Sequence, residues 1–367
     1  MSTTTVKPEP NHKPILLYVG HPIQYETSRW AKLQTSFTIL PYTKGLSKPE
    51  LISAFRPGGA YSSIDGILRP NSSDIDLPRL DKELVAALPP TCKIIASANH
   101  GYDGEDTDEL ARRGIWYCNG AGGADDSTAD TGLYLIISAF RHTTLCEHRL
   151  RTLRKGDFFS VEKEAVEISR NPRGHILGIV GLGQIGRAVA ARALAIGMKI
   201  HYFGRRRKSA ELEAALGGAV FHEALDSMLK VADCVLLACP HTPETHHILD
   251  HNAFHSMKRG VRIVNIGRGK CIDEEALADA IDAGIVAGAG LDVYHDEPTI
   301  NPRLLDNWKI TLLPHIGGGT KDTKANFERI VLDNIEAFFL GDGMPLTPVN
   351  QIGTTAAAAA AAGDSQN

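Results

Sequence analysis

Four short stretches carry residue types that could do chemistry together. "GLGQIG" sets Gly181, Gly183 and Gly186 between an apolar run and a helical one. Further along come Arg268 in "NIGRGKCID", Glu297 in "GLDVYHDEP" and His315 in "LLPHIGGGT". A histidine beside a carboxylate is a proton donor held in one orientation, because the carboxylate favours the protonated ring. Arginine offers a planar fork that suits a substrate carboxylate and polarises a carbonyl oxygen next to it. Such a set would serve the reduction of a 2-oxo acid, in which a hydride reaches the carbonyl carbon and a proton its oxygen. Singly, each residue has a plainer role: Arg268 as a surface cation, Glu297 as a solvated turn residue, His315 as a satisfied buried histidine.

The glycines have separate tasks in a dinucleotide loop. Gly181 permits a tight turn, Gly183 lets a pyrophosphate approach the backbone, and Gly186 allows the helix to pack on the strand. Gln184 and Ile185 open that helix, whose free N–H groups face the phosphates. About 20 residues later such sites carry an acid for the adenosine ribose. Here "HYFGRRRKSAE" has Gly204, followed by Arg205, Arg206 and Arg207. Glycine removes the charge that would repel a 2′-phosphate, and Arg205 and Arg206 supply donors that would grip one. NADP(H) is therefore expected in preference to NAD(H), with NAD(H) possible. Arg207 is expected to face solvent or to start the next helix.

These motifs need strands to hold them. One set of apolar runs reads "PILLYVG", "FTILPY", "IDGILRP", "CKIIASA" and "IWYCNG"; a second reads "HILGIVG", "KIHYFG", "DCVLLAC", "VRIVNIG", "AGAGLDV" and "KITLLPH". Helical patterns fall between them, which argues for two doubly wound α/β domains with parallel sheets and a cleft between. The substrate domain is expected over 13–133, completed by 320–350, and the dinucleotide domain over 134–319. One long helical pattern near Ala124–Leu153 joins them, with Leu133, Ile136, Ile137 and Phe140 forming an apolar stripe. Residues 1–12 and 353–367 read as disordered tails.

Bulk properties exclude several classes. A formal charge of −4 gives no reason to expect nucleic acid or an anionic membrane as partner. The apolar runs are too short to span a bilayer, and the first residues lack the apolar core of a signal peptide. A soluble cytoplasmic protein is expected. The six cysteines form no CxxC pair and read as buried thiols. His247, His251 and His255 are spaced to line one helix face and could suggest a metal, but an exposed polar helix is the expectation and no metal is assigned.

Taken together, and in this order, the glycine loop, Asn265–Arg268–Gly269, Asp292 to Pro298, and Pro314–His315 resemble the D-isomer-specific 2-hydroxyacid dehydrogenases. The resemblance spans about residues 13–349 and, in "NPRGHILGIVGLG" and "GMKIHYF", leans to the mandelate dehydrogenase branch. It implies Arg268, Glu297 and His315 as the catalytic trio, a small-molecule 2-oxo or 2-hydroxy acid as substrate, and a homodimer. It places Thr128 near the cofactor phosphates, Cys239 and Pro240 beside the adenosine, and Ile266 and Asp292 as acceptors for the nicotinamide amide. Gly317 and Gly318 would lie under the nicotinamide ribose. Substrate contacts would come from Leu68, Arg69, Asn99, His100 and Gly101, though Asn99 and His100 stand where the family commonly has small residues. The branch suggests bulky aromatic or branched substrates, against the alternative of a glyoxylate/hydroxypyruvate reductase. A formate dehydrogenase would have Gln in place of Glu297. A nucleotide-sensing corepressor on the same scaffold could keep the trio.

Overall fold

The computed structural model describes residues 13–71, 77–153 and 158–353. The expected tails, Gly353 apart, lie outside the described residues. The chain divides into two compact units, the first running to Ala124 and resuming at Thr320, the second covering Asp125–Gly319.

The first unit holds a parallel sheet of β1 (Ile15–Tyr18), β2 (Thr38–Pro41), β3 (Gly66–Arg69), β4 (Ile94–Ser97) and β5 (Trp116–Cys118), in the order β2-β1-β3-β4-β5. Successive residues feed two cores. Leu17, Ile67 and Ile95 pack on one face, and Leu16, Leu68 and Ile94 on the other. Burial on both faces explains why these strands read as continuous apolar runs. The helix Lys321–Phe339 covers the second face through Val331, Leu332 and Ile335. Its buried Glu328 carboxylate accepts from the N–H groups of Gln24, Tyr25 and Glu26 at 2.8, 2.8 and 3.1 Å. An acid there satisfies the donors of the turn that leads into the helix Thr27–Leu33 and of its N-cap Glu26.

The second unit has seven parallel strands: β6 (Ile176–Val180), β7 (Lys199–Phe203), β8 (Val220–His222), β9 (Cys234–Leu237), β10 (Val261–Asn265), β11 (Val286–Leu291) and β12 (Ile310–Leu312). Their order is β12-β11-β10-β9-β6-β7-β8. The direction of winding reverses between β6 and β9, the point outside which ligands bind in such sheets. Eleven strands match the expected runs. The twelfth, β8, is a three-residue edge strand that was not expected.

The joining pattern is two helices, Asp125–Arg141 and Thr143–Leu153, broken at His142, whose φ is 50°. The division between units falls before this helix, at Ala124 and Asp125, instead of the expected 133/134. Packing accounts for the difference. Arg192 bonds Asp126 and Asp130 at 3.0 and 2.7 Å, and Gly132 lies against Val189 and Ile266. Of the apolar stripe, Ile136 and Phe140 are buried in this unit's core, and Leu133 and Ile137 are half-buried.

His142 is only 4% exposed. Burial, with the charges of Arg262 and Lys309, lowers its pKa to about 4 from 6.5. The folded chain thus keeps this ring neutral where the unfolded chain would protonate it. Its contribution is fully present above pH 6.5 and is lost as pH falls from there toward 4. His142→Asn, which tolerates the left-handed backbone, should flatten that part of the stability profile. Denaturant titrations of both proteins between pH 7 and 4 check this, and parallel profiles would show that His142 contributes nothing.

Candidate active site

The glycine loop follows β6 directly. Gly181 has φ 95°, and a Cβ on it would lie 2.9 Å from the Ala238 carbonyl oxygen, so the loop passes close against the end of β9. On Gly186 a Cβ would collide with the carbonyl oxygen of Gly181. Gly183 precedes the helix Gln184–Ala195, and its Cβ position faces open space. This is the cradle a dinucleotide pyrophosphate requires: tight where helix and strand meet, open where the phosphates approach. Gly204, after β7, also faces open space. Cys239 is buried at the end of β9 in a thiol contact with Cys271, and that contact together with burial holds its pKa well above the usual thiol range.

Three adjacent strand ends carry the chemical trio. After β10, Asn265 folds the turn that bears Arg268. Its Oδ1 accepts from Gly267 N–H at 3.0 Å, and its Nδ2 donates to the Arg268 carbonyl at 2.9 Å. On Gly269 a Cβ would collide with the backbone of Tyr294, so this turn is pressed against the loop after β11. That loop holds Glu297, whose Oε1 accepts from Tyr294 N–H at 2.9 Å and whose Oε2 lies 2.8 Å from Nδ1 of His315. His315 follows β12 with φ 54°. The next two N–H groups, of Ile316 and Gly317, each donate to Asp292 at 2.8 Å. Asp292 is 2% exposed; burial raises its carboxyl pKa, opposed by those two bonds. Thr128 and Asp292 both line the space a Cβ on Gly317 would need. The fold thus brings Thr128, Asp292, Glu297, His315 and Gly317 together.

Other expected residues lie outside this group. Arg207 is exposed, as expected, and its guanidinium also pairs with the buried Glu213, through Nε at 2.9 Å and Nη2 at 2.8 Å. His247 precedes the helix His251–Ser256 and has φ 47°, so it shares no helix face with His251 and His255. Among the described residues no three His, Cys, Asp or Glu are grouped to hold a metal. In the first unit, Arg69 and the turn of Asn99, His100 and Gly101 stand at the adjacent carboxyl ends of β3 and β4. Arg69 pairs with Glu105 at 3.2 Å, while Leu68 is wholly enclosed in the core. Sequence reasoning missed Tyr202, Lys208 and Glu213, which shape the turn after β7. No helix among the described residues is long and apolar enough to cross a membrane.

Residues 133–317 match the family model described as D-isomer specific 2-hydroxyacid dehydrogenase, NAD binding domain. A 4-methyl-2-oxopentanoate reductase of Aspergillus oryzae is 36% identical over 88% of this chain and 94% of its own. The chain belongs to the D-isomer-specific 2-hydroxyacid dehydrogenases. Among solved structures, this dehydrogenase is similar to the holo form of Rhodotorula graminis D-mandelate dehydrogenase, with TM-score 0.87 and 34% identity over 93% of this chain and 98% of that one. A glyoxylate reductase of Paecilomyes thermophila has TM-score 0.82 and 34% identity, over 92% and 98%. The protein is an oxidoreductase that interconverts 2-oxo and 2-hydroxy acids with a nicotinamide cofactor, and it resembles D-mandelate dehydrogenase as the sequence suggested.

Gly269→Ala should displace the Arg268 turn from Tyr294. A misplacement of about 1 Å costs about 100-fold in rate, so kcat/KM should fall by that order while the sheet remains folded. Steady-state kinetics beside circular dichroism check it; an unaltered kcat/KM would mean the turn has slack.

Proposed function

We propose that this dehydrogenase reduces bulky aromatic or branched 2-oxo acids to D-2-hydroxy acids, with NADPH as the preferred cofactor. The observation that carries the chemistry is the 2.8 Å contact between Nδ1 of His315 and Glu297. With Nδ1 engaged, Nε2 is the atom left to give a proton to the carbonyl oxygen, and the carboxylate fixes the ring. Arg268 takes the substrate carboxylate and polarises the carbonyl. The family resemblance would add Asn99, His100 and Gly101 as contacts of the carboxylate, with Arg69 beside them. When bound, the reduced nicotinamide supplies the hydride; in the oxidative direction His315 is the base.

The cofactor would lie on Gly181, Gly183 and Gly186, with the helix start at Gln184 and Ile185 facing its phosphates. Thr128, Cys239, Pro240, Ile266, Asp292, Gly317 and Gly318 would surround the rest. The preference for NADPH rests on the open space at Gly204 and on Arg205 and Arg206 after it. The preference for bulky substrates rests on likeness to a reductase named for 4-methyl-2-oxopentanoate and to one named for D-mandelate. A glyoxylate/hydroxypyruvate reductase is the second reading, favoured by the likeness to glyoxylate reductase.

One panel tests both choices. Phenylglyoxylate, phenylpyruvate and 4-methyl-2-oxopentanoate should exceed glyoxylate and hydroxypyruvate in kcat/KM. NADPH should exceed NADH by at least tenfold, which needs only about 1.4 kcal/mol of differential binding. A higher value for either small acid would favour the second reading, and equal use of NADH would remove the role given to the arginines.

A further inference from the structure

The turn after β7 is held by a buried acid that no cofactor would touch. Glu213, on the helix Ala210–Ala215, is 7% exposed. Its Oε1 accepts from the hydroxyl of Tyr202 at 2.7 Å and from Nε of Arg207 at 2.9 Å, and its Oε2 accepts from Nη2 of Arg207 at 2.8 Å. The hydroxyl of Tyr202 in turn accepts from Lys208 N–H at 2.8 Å. Tyr202 itself is wholly buried in β7. The turn Gly204–Lys208 is therefore fixed at one end by the strand and at the other by two links to one carboxylate.

The three consecutive arginines consequently do different work. Arg207 is committed to Glu213, and the bidentate charge-assisted bond is among the strong ones. The bonds from Arg207 and then Tyr202 bring the Glu213 pKa down to about 2, so the pair stays ionised. Lys208 shares a local field with Arg187 and Arg205: after burial, these two cations are what depress its pKa. Arg187 reaches back over the glycine loop, its Nε donating to the Leu182 carbonyl at 3.3 Å. Arg205 and Arg206 lie within the braced turn, directly after the open space at Gly204. In dinucleotide sheets that region, by the end of the second strand of the unit, receives the adenosine 2′-position.

We infer that Glu213 is a positioning residue for cofactor choice: through Tyr202 and Arg207 it holds the turn that presents Arg205 and Arg206 to the adenosine 2′-phosphate. This rests on the NADPH reading above and extends it. A free arginine run could sample many arrangements; a braced one presents a preformed charge, which lowers the ordering cost of binding the phosphate.

The test compares wild type, Glu213→Gln and Tyr202→Phe in kcat and KM for NADPH and for NADH with one 2-oxo acid. Tyr202→Phe removes only the hydroxyl and leaves the Glu213–Arg207 pair, so it keeps the test informative if Glu213→Gln fails to fold. In both variants the NADPH/NADH ratio of kcat/KM should fall about tenfold, the size expected for losing a bond to a charged group, with the change in KM for NADPH. A ratio that stays level or rises, or an equal loss with both cofactors, would overturn the inference and leave the NADPH reading standing. A wild-type ratio near one would overturn the NADPH reading itself.

Discussion

A buried carboxylate at the end of β11 sets the geometry of the strand ends that carry Glu297 and His315. Asp292 has almost no contact with water, and its two oxygens are met by the consecutive N–H groups of Ile316 and Gly317. Two donors in a row can point at one carboxylate only if the chain before them turns sharply. His315 is the residue that takes up the turn, with φ 54° in a region that non-glycine residues seldom enter. The same strand end continues into Tyr294, whose N–H fixes Glu297, and into the backbone against which Gly269 is pressed. Loosening Asp292 would release the histidine, its carboxylate partner and the arginine turn together.

The parallel sheet makes such an arrangement possible. All carboxyl ends of the strands open on one edge, so β10, β11 and β12 deliver Arg268, Glu297 and His315 side by side. On the other side of the switch point, β6 and β7 deliver the glycine loop and the turn at Gly204. Each half is stiffened by acids and amides within it: Asn265 under Arg268, Asp292 under the chain after His315, Glu213 under the arginine turn. A rigid supporting shell is what keeps reacting groups within the narrow tolerances of hydride and proton transfer.

Much of this is legible in the sequence because it depends on local pattern. Eleven strands announce themselves as apolar runs bounded by turn residues, and the glycine loop carries its context with it. The placement of Arg268, Glu297 and His315 after β10, β11 and β12 is legible because each follows an apolar run. What fails is what depends on contacts made elsewhere. β8 is too short to show a period. His142 breaks a helix inside a continuous helical pattern, at a left-handed φ of 50° that the apolar spacing does not signal. Arg207 looks like its neighbours, and only the fold reveals Glu213 within its reach. The misplaced histidine face had a local signal: Asp250 caps the helix by accepting from Ala253 N–H at 2.8 Å, which starts it at His251 and leaves His247 outside.

In the proposed mechanism His315, braced by Glu297, moves the proton, and the nicotinamide when bound supplies the hydride. The most direct measurement is turnover by His315→Asn, with cofactor binding followed separately by nicotinamide fluorescence. Binding should remain close to that of the wild type, and kcat should fall by about 100-fold or more, the range expected for general acid catalysis. Turnover near the wild-type rate, with the fold intact, would remove His315 from proton transfer.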